Sequence, residues 1–358
     1  MKQVDWHPKY REGILRLLGD VPFKPAIWEW QFEQNPFGKP FTPVIFVDDN
    51  DRVVGFNGVM PILATDRGKP LDALWSCDFY IAPDWRGKKL GTHIKAALHQ
   101  QANQVMAFGV SDKACDVLTH LGWKRYEDIH TYRLIRKRGS MRNWAFTGLQ
   151  VLNRLLGVTE KVSGHFTLEV QSHLPAAQLV DELWDRSASG YGKVVTRNHA
   201  YLDWKYQRHP LARYAFVRAW RGETLAGVLV VRYHGGQLRI VDYCGPARDQ
   251  LLKRSLIRAC RKHWRHADQI TAVTSDRELG TCLLQEGFFR PRSQPRFFIY
   301  TGDCSCLPSD AGWFVMAGDS DGELLAASAD ACEGRRPFST SVENGGEPGW
   351  LRPDRESA

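Results

Sequence analysis

A chain of 358 residues is long enough for two domains of ordinary size, and 43% hydrophobic with 25% charged residues is the balance of a soluble globular protein. No apolar run reaches the length of a membrane span, and Met1–Lys2–Gln3–Val4–Asp5 lacks a signal-peptide core, so a cytoplasmic protein is expected. The net charge of +8 suits an anionic ligand or surface, but no aromatic–basic recognition motif supports binding of nucleic acid.

Residues 1–35 read as helical and aromatic, with Ile14, Leu15, Leu17 and Leu18 on an apolar face and Trp28, Trp30 and Phe32 leading to Asn35-Pro36. Val44–Val47 and Val53–Val59 read as two strands joined by a polar hairpin turn over Asp48–Asp51. Another strand is expected before Asp78. The run Phe79-Tyr80-Ile81 favours extended backbone and Pro83 stops it. A basic turn follows, Arg86-Gly87-Lys88-Lys89-Leu90-Gly91-Thr92, and then Ile94, Ala97 and Leu98 recur at helical spacing. A strand, a glycine turn and a helix N-terminus in that order favour an anion, because backbone N–H groups and the helix dipole point the same way. Val105–Val110 is a further buried strand. Ser111 caps a helix that runs to about Leu121 and stops at Gly122, and Tyr126–Ile135 makes the last strand of the first half.

Residues 136–165 form a basic hinge at Arg136–Gly139 and an amphipathic helix over Met141–Val158. Basic residues beside Trp144 and Leu149 suit either a connector between lobes or peripheral contact with a membrane surface.

The second half repeats the first. Trp30-x-Phe32-x-x-x-Pro36 matches Trp204-x-Tyr206-x-x-x-Pro210, and the hairpin ending at Gly55 matches the one ending at Gly227. Asp78-Phe79-Tyr80 matches Asp242-Tyr243-Cys244, and Ser111-Asp112-Lys113 with Gly122-Trp123 matches Ser275-Asp276-Arg277 with Gly287-Phe288. Four pairs in one order indicate duplication of a single α/β lobe. The copies differ at the basic turn, where Ala247–Arg254 holds no glycine and cannot cradle a phosphate in the same way. Five segments follow: a ligand-binding lobe over 1–135, the linker 136–165, a degenerate second lobe over 166–302, an extension over 303–325, and a polar tail over 326–358 whose composition suits disorder. The eight cysteines lack zinc-type spacing, and Asp319-x-Asp321-Gly322 lacks the later glutamate of a calcium loop, so no metal is expected.

The segment Asp78–Leu98, with Arg86-Gly87-x-x-Leu90-Gly91 between strand and helix, resembles the acyl-CoA diphosphate loop of the GNAT acyltransferase superfamily. Lys89 departs from that pattern by standing where a glycine is usual. It either crowds the cradle or adds charge to it. The resemblance implies an α+β mixed sheet in two tandem GNAT-like lobes, and direct transfer from acetyl-CoA or another acyl-CoA to an amine of a small molecule, amino sugar or peptide. A weaker similarity, on Arg197-Asn198-x-x-Tyr201-Leu202-x-Trp204, is to tandem GNAT proteins associated with bacterial exopolysaccharide synthesis. The family's pattern puts pantetheine along Phe79, Tyr80 and Ile81, and the diphosphate on Arg86, Gly87, Lys88, Lys89, Leu90, Gly91 and Thr92. Leu118 stands where many members carry a tyrosine acid. Asp78 and Tyr126 are then the candidates for proton transfer, with a structural carboxylate as the other reading of Asp78. Trp30, Asn57 and Trp204 are candidate acceptor contacts between the lobes, and the two tryptophans serve equally as core anchors. The oligomeric state is left open.

Overall fold

The computed structural model describes residues 1–19, 21–136, 166–302 and 312–332. The expected helix over Met141–Val158, residues 303–311 and the tail from 333 lie outside the described residues.

The chain first forms β1 (Lys2–Val4), α1 (Arg11–Leu18) and α2 (Lys24–Trp28), the last running into a π-helical turn over Glu29–Glu33. The helical reading of residues 1–35 is therefore corrected at its start, where Lys2–Val4 pairs antiparallel with the next strand. Strands β2 (Val44–Val47), β3 (Val53–Pro61), β4 (Ala64–Asp66), β5 (Lys69–Leu71) and β6 (Ala73–Ile81) follow, then α3 (Leu90–Leu98), β7 (Gln104–Phe108), α4 (Asp112–His120), β8 (Lys124–Arg125) and β9 (His130–Ile135). The second half holds β10 (Thr167–Gln171), α5 (Ala177–Ala188), β11 (Lys193–Val195), α6 (His199–Leu202), β12 (Ala215–Arg221), β13 (Thr224–His234), β14 (Gln237–Cys244), α7 (Gln250–His263), β15 (Gln269–Thr274), α8 (Arg277–Gln285) and β16 (Phe297–Tyr300). A short β17 (Trp313–Phe314) and α9 (Gly322–Cys332) end the described chain. Helix α9 carries the fold seven residues into the stretch whose composition suits a disordered tail.

Alternation sorts the side chains of β2 to two faces, as a strand with both faces covered requires. Ile45 and Val47 pack with Ile14 and Leu18 of α1 and Trp28 of α2, while Val44 and Phe46 pack with Leu90, Ile94 and Leu98 of α3. Strand β3, between β2 and β6, is buried along its whole length.

The two large sheets exchange their closing strands. One runs β1-β2-β3-β6-β7-β16-β8 and the other β10-β12-β13-β14-β15-β9. Strand β9 leaves the first half and pairs antiparallel with β15, Ile135 facing Gln269 and His130 facing Thr274. Strand β16 comes back from the second half to pair with β7, Phe297 facing Phe108 and Tyr300 facing Val105. Tyr126–Ile135 was expected to close the first sheet. Its β-paired part lies instead in the second, because β16 already occupies the free edge of β7.

The repeated Trp-containing segments meet at an approximate two-fold axis. Trp30 Nε1 donates to the Trp204 carbonyl at 2.8 Å, and Trp204 Nε1 donates to the Trp30 carbonyl at 2.8 Å. Their rings lie 5.9 Å apart, and each tryptophan sits on a π-helical turn, the second over Asp203–Gln207. A small third sheet, β17-β11-β4-β5, joins the halves on one side.

Candidate active site

Strands β6 and β7 run parallel for three pairs only, from Ala73–Gln104 to Trp75–Met106. Beyond Trp75 they diverge. A β-bulge against β3 falls between Phe56 and Gly58, opposite Asp78, whose φ of +48° lies in the left-handed region. A non-glycine residue held there costs on the order of 1–3 kcal/mol, so the surrounding packing must enforce it. The divergence leaves a cavity of about 370 Å³ lined by Lys24, Ser76, Cys77, Asp78, Phe79, Tyr80, Lys95, Phe108, Leu118, Asp321 and Leu325 among others. Leu18 and Tyr80 also line a wider cleft of about 960 Å³ on the α1 side, which holds Lys9, Arg16, Arg52 and Arg86.

A single 3-10 turn over Pro83–Trp85 links the end of β6 to the basic turn. Gly87 has φ +78° and Lys89 φ +62°, so Lys89 adopts the backbone conformation a glycine would supply. Its side chain is exposed. Among the described residues, no carbonyl or side chain accepts from the N–H groups of Gly87 through Gly91, as expected at a helix start without a side-chain cap. Arg86 Nε donates to the Ile81 carbonyl at 3.2 Å, and Lys88 lies over the Trp85 ring at 4.9 Å. Leu90 is buried and anchors α3. A Cβ at Gly91 would meet Ile81 Cδ1 at 3.2 Å and Phe79 Cζ at 3.3 Å, so the helix packs tightly on the strand here. Thr92 is half-buried in the first turn. The uncapped N–H groups, the glycine contact and the flanking cations all fit a bound diphosphate.

The polar groups at the other end of the cavity are buried and interlocked. Lys24 pairs with Asp78, whose side chain is 9% exposed, and also donates to Gln31 Oε1 at 2.6 Å. Lys95, one turn along α3 from Gly91, donates to Asn57 Oδ1 at 2.7 Å and Ser76 Oγ at 2.8 Å, and lies 4.5 Å from the Phe79 ring centre. Burial pushes the Lys95 ammonium down to about 7, against the pull of Cys77 and Asp321. Burial, helped by the charge of Asp78, pushes Asp321 up to about 7 against Lys24 and Lys205. Burial also raises the Cys77 thiol well above its ordinary value, so it is no ready thiolate.

Phe79, Tyr80 and Asp78 therefore share one cavity, with Ile81 and Arg86 in the adjoining cleft. The other candidates lie elsewhere. Tyr126 lines a separate cavity of about 410 Å³ with Asp276, Arg277 and Trp313, where burial pushes its hydroxyl up to about 12. The strand exchange explains the separation, since the chain crosses to the second lobe just after β8. Trp30 and Trp204 are spent on each other in the core, with 5% and 0% exposure, and offer no face to a ligand. Asn57 is fully buried, holding Lys95 and donating to the Cys77 carbonyl at 3.2 Å. The groups that sequence reasoning missed are Lys24, Ser76, Lys95 and Asp321. Lys95 carries a signal, a lysine set directly beside core-facing Ile94, whereas Asp321 stands out only in the calcium-loop-like Asp319-x-Asp321-Gly322.

Residues 10–123 match the family model for the acetyltransferase (GNAT) family. The first lobe is a GNAT domain. No curated protein matches the sequence. Among solved structures, a probable N-acyltransferase from Enterococcus faecalis V583 is 10% identical over 85% of this chain and 73% of its own, with a TM-score of 0.60. A GCN5-related N-acetyltransferase from Anabaena variabilis is 14% identical over 84% and 73%, with a TM-score of 0.58, and one from Kribbella flavida is 13% identical over 83% and 70%, with a TM-score of 0.53. These likenesses establish the fold, and they extend through both lobes. Among the described residues no helix is long and apolar enough to cross a membrane.

Proposed function

We propose that the protein is an acyl-CoA-dependent N-acyltransferase whose first lobe binds the cofactor and whose acceptor is an amine of a small molecule, amino sugar or peptide. One observation carries this reading: two parallel strands separate beside a helix start with free N–H groups, and titratable side chains converge where the strands part. The diphosphate is assigned to Gly87–Thr92 with Arg86, Lys88 and Lys89, and the pantetheine arm to Phe79, Tyr80 and Ile81 on the edge of β6 left unpaired by β7. The thioester then reaches the cavity of Asp78 and Lys95, where an amine acceptor enters. When bound, acyl-CoA supplies an activated acyl group, and the protein supplies alignment, exclusion of water and a route for one proton. Leu118, buried on the cavity wall, has no hydroxyl to give. Proton transfer therefore falls to the carboxylates and Lys95.

Calorimetry with acetyl-CoA, followed by release of free CoA thiol across a panel of amines, amino sugars and peptides, tests the proposal. A micromolar complex and turnover on at least one acceptor are expected. No binding overturns it, and binding without turnover on any acceptor replaces it with an acyl-CoA-binding scaffold.

A further inference from the structure

The C-terminal segment passes between the lobes and gives one aspartate to each. Asp319 goes to the second lobe, where Arg197 Nη2 donates to it at 2.5 Å and Arg197 Nε donates to Asp242 at 2.9 Å. Tyr206 adds a hydrogen bond to Asp242 at 2.8 Å. Arg197, Asp242 and Asp319 are all 0% exposed, so this group is sealed. Two residues on, Asp321 goes to the first lobe. Its carboxylate, that of Asp78 and the Cys77 sulfur lie within 4.8 Å of one another, with Lys24 paired to Asp78.

The same arrangement is thus built twice about the two-fold axis: a cation, the aspartate at matching positions of β6 and β14, and an aspartate from the C-terminal segment. In the second lobe every charge has a close partner. In the first, Lys24 pairs with Asp78, Asp321 has no ion-pair partner among the described residues, and it lines the open cavity. Burying a carboxylate unpaired is costly, and a purely structural copy would be neutralised as the other one is.

We infer that Asp321, delivered by the C-terminal segment, is the group that takes the proton from the acceptor amine. The inference rests on the acyl-transfer reading above. The neutral amine nitrogen forms the C–N bond to the thioester carbonyl carbon as the C–S bond breaks, and sulfur leaves with the bonding pair. The surplus N–H proton passes to Asp321 and from there to the thiolate, which regenerates the carboxylate. The groups facing Asp321 are Asp78 and Cys77 from β6, Lys24 from α2, Lys95 from α3 and Lys205 from the second lobe. Asp319 and Glu323, its neighbours in sequence, are committed to Arg197 and to Arg232 with Arg239. Burial against these groups holds Asp321 near 7, where a base serves best at neutral pH.

The test measures turnover from about pH 5.5 to 9 together with acetyl-CoA affinity and Tm for wild type, Asp321→Asn and Asp321→Glu. Loss of a general base is worth about 10²–10⁴-fold in kcat. Asp321→Asn is expected to lose about 100-fold or more, keep its acetyl-CoA Kd within about twofold, and lose the rise in rate through neutral pH. Asp321→Glu keeps a carboxylate and is expected to retain more turnover, with that rise displaced. Wild-type turnover with an intact rise in Asp321→Asn overturns the inference, as does an Asp321→Glu variant that is folded and as inactive as Asp321→Asn. A wild-type protein that binds no acetyl-CoA overturns the acyl-transfer reading first, and this inference falls with it.

Discussion

Gly91→Glu tests the cofactor loop without dismantling the fold. The new Cβ would lie 3.2 Å from Ile81 Cδ1 and 3.3 Å from Phe79 Cζ, both at the far ends of side chains that can give by a few tenths of an ångström. Residue 91 is helical, without positive φ, so the backbone accepts a side chain, and replacing glycine in a helix is worth up to about 1 kcal/mol. A carboxylate in the first turn also suits the helix dipole by about 0.3–1 kcal/mol. Stability is therefore expected to hold or rise. Binding moves the other way. A carboxylate about 5 Å from one phosphate charge costs about 1 kcal/mol at the dielectric constant of water and about 3 kcal/mol at an effective value near 20. We take about 2 kcal/mol, which is roughly 30-fold in Kd. Calorimetry with acetyl-CoA should show that loss, and it should shrink at high salt because the exposed charges are screened over about 10 Å at 0.1 M. Gly91→Ala, which adds the crowding without the charge, should lose much less. A Gly91→Glu Kd within twofold of wild type refutes the placement of the diphosphate, and a parallel fall in Tm refutes the claim that only the ligand is disturbed.

Three further outcomes follow from the buried groups. Trp30→Phe leaves the Trp204 carbonyl without its donor at 2.8 Å, and Trp204→Phe does the same to Trp30, so each should cost about 1–3 kcal/mol in denaturant unfolding. A neutral result for either denies the axis its structural role. The ammonium of Lys95, held down near 7, is deprotonated in the folded protein at a pH where the unfolded chain still carries its proton, so its contribution to stability improves from about pH 7 to 10.5. Unfolding free energies against pH should rise more steeply for wild type than for Lys95→Met across that window, and equal slopes would contradict the burial argument. Tyr126→Phe should leave turnover within twofold, since the hydroxyl lies in the other cavity. A tenfold loss in kcat would return Tyr126 to the reaction.

What could be read from the sequence was local or periodic. The apolar run Val44–Val47, the cap at Ser111 and the glycine turn before Ile94 are each settled within a few residues, and each forms where the pattern puts it. The duplication was readable for the same reason, as a comparison of local patterns. Pairing partners were not. Nothing within His130–Ile135 or Phe297–Tyr300 distinguishes the edge of β7 from the edge of β15, because both are short strands that need a neighbour. Trp30 and Trp204 have the amphipathic character of ligand contacts, and only their mutual hydrogen bonds show that their indole N–H groups are already used. Lys24, Lys95 and Asp321 are far apart in the chain, so no spacing rule could have brought them together.

The second lobe shows what the loss of its glycines accomplished. In the first lobe the start of α3 leaves N–H groups free for an anion. At the matching place Asp249 Oδ1 accepts from Leu252 N at 2.9 Å, so the helix caps itself with its own carboxylate. Lys253 is bound to Asp276 and to the Ala247 carbonyl, and this cation is turned inward as well. An incoming diphosphate would have to displace an anion already in place, whereas in the first lobe it would meet unsatisfied donors. The same substitution of internal for external partners occurs at the aspartates, where Arg197 seals Asp242 and Asp319 while Lys24 leaves Asp321 open. Two independent positions in one lobe have thus been closed by charges from within the chain, and among the described residues no such partner closes their counterparts in the other lobe. That asymmetry, more than the shared fold, is the physical argument for placing the chemistry in the first lobe.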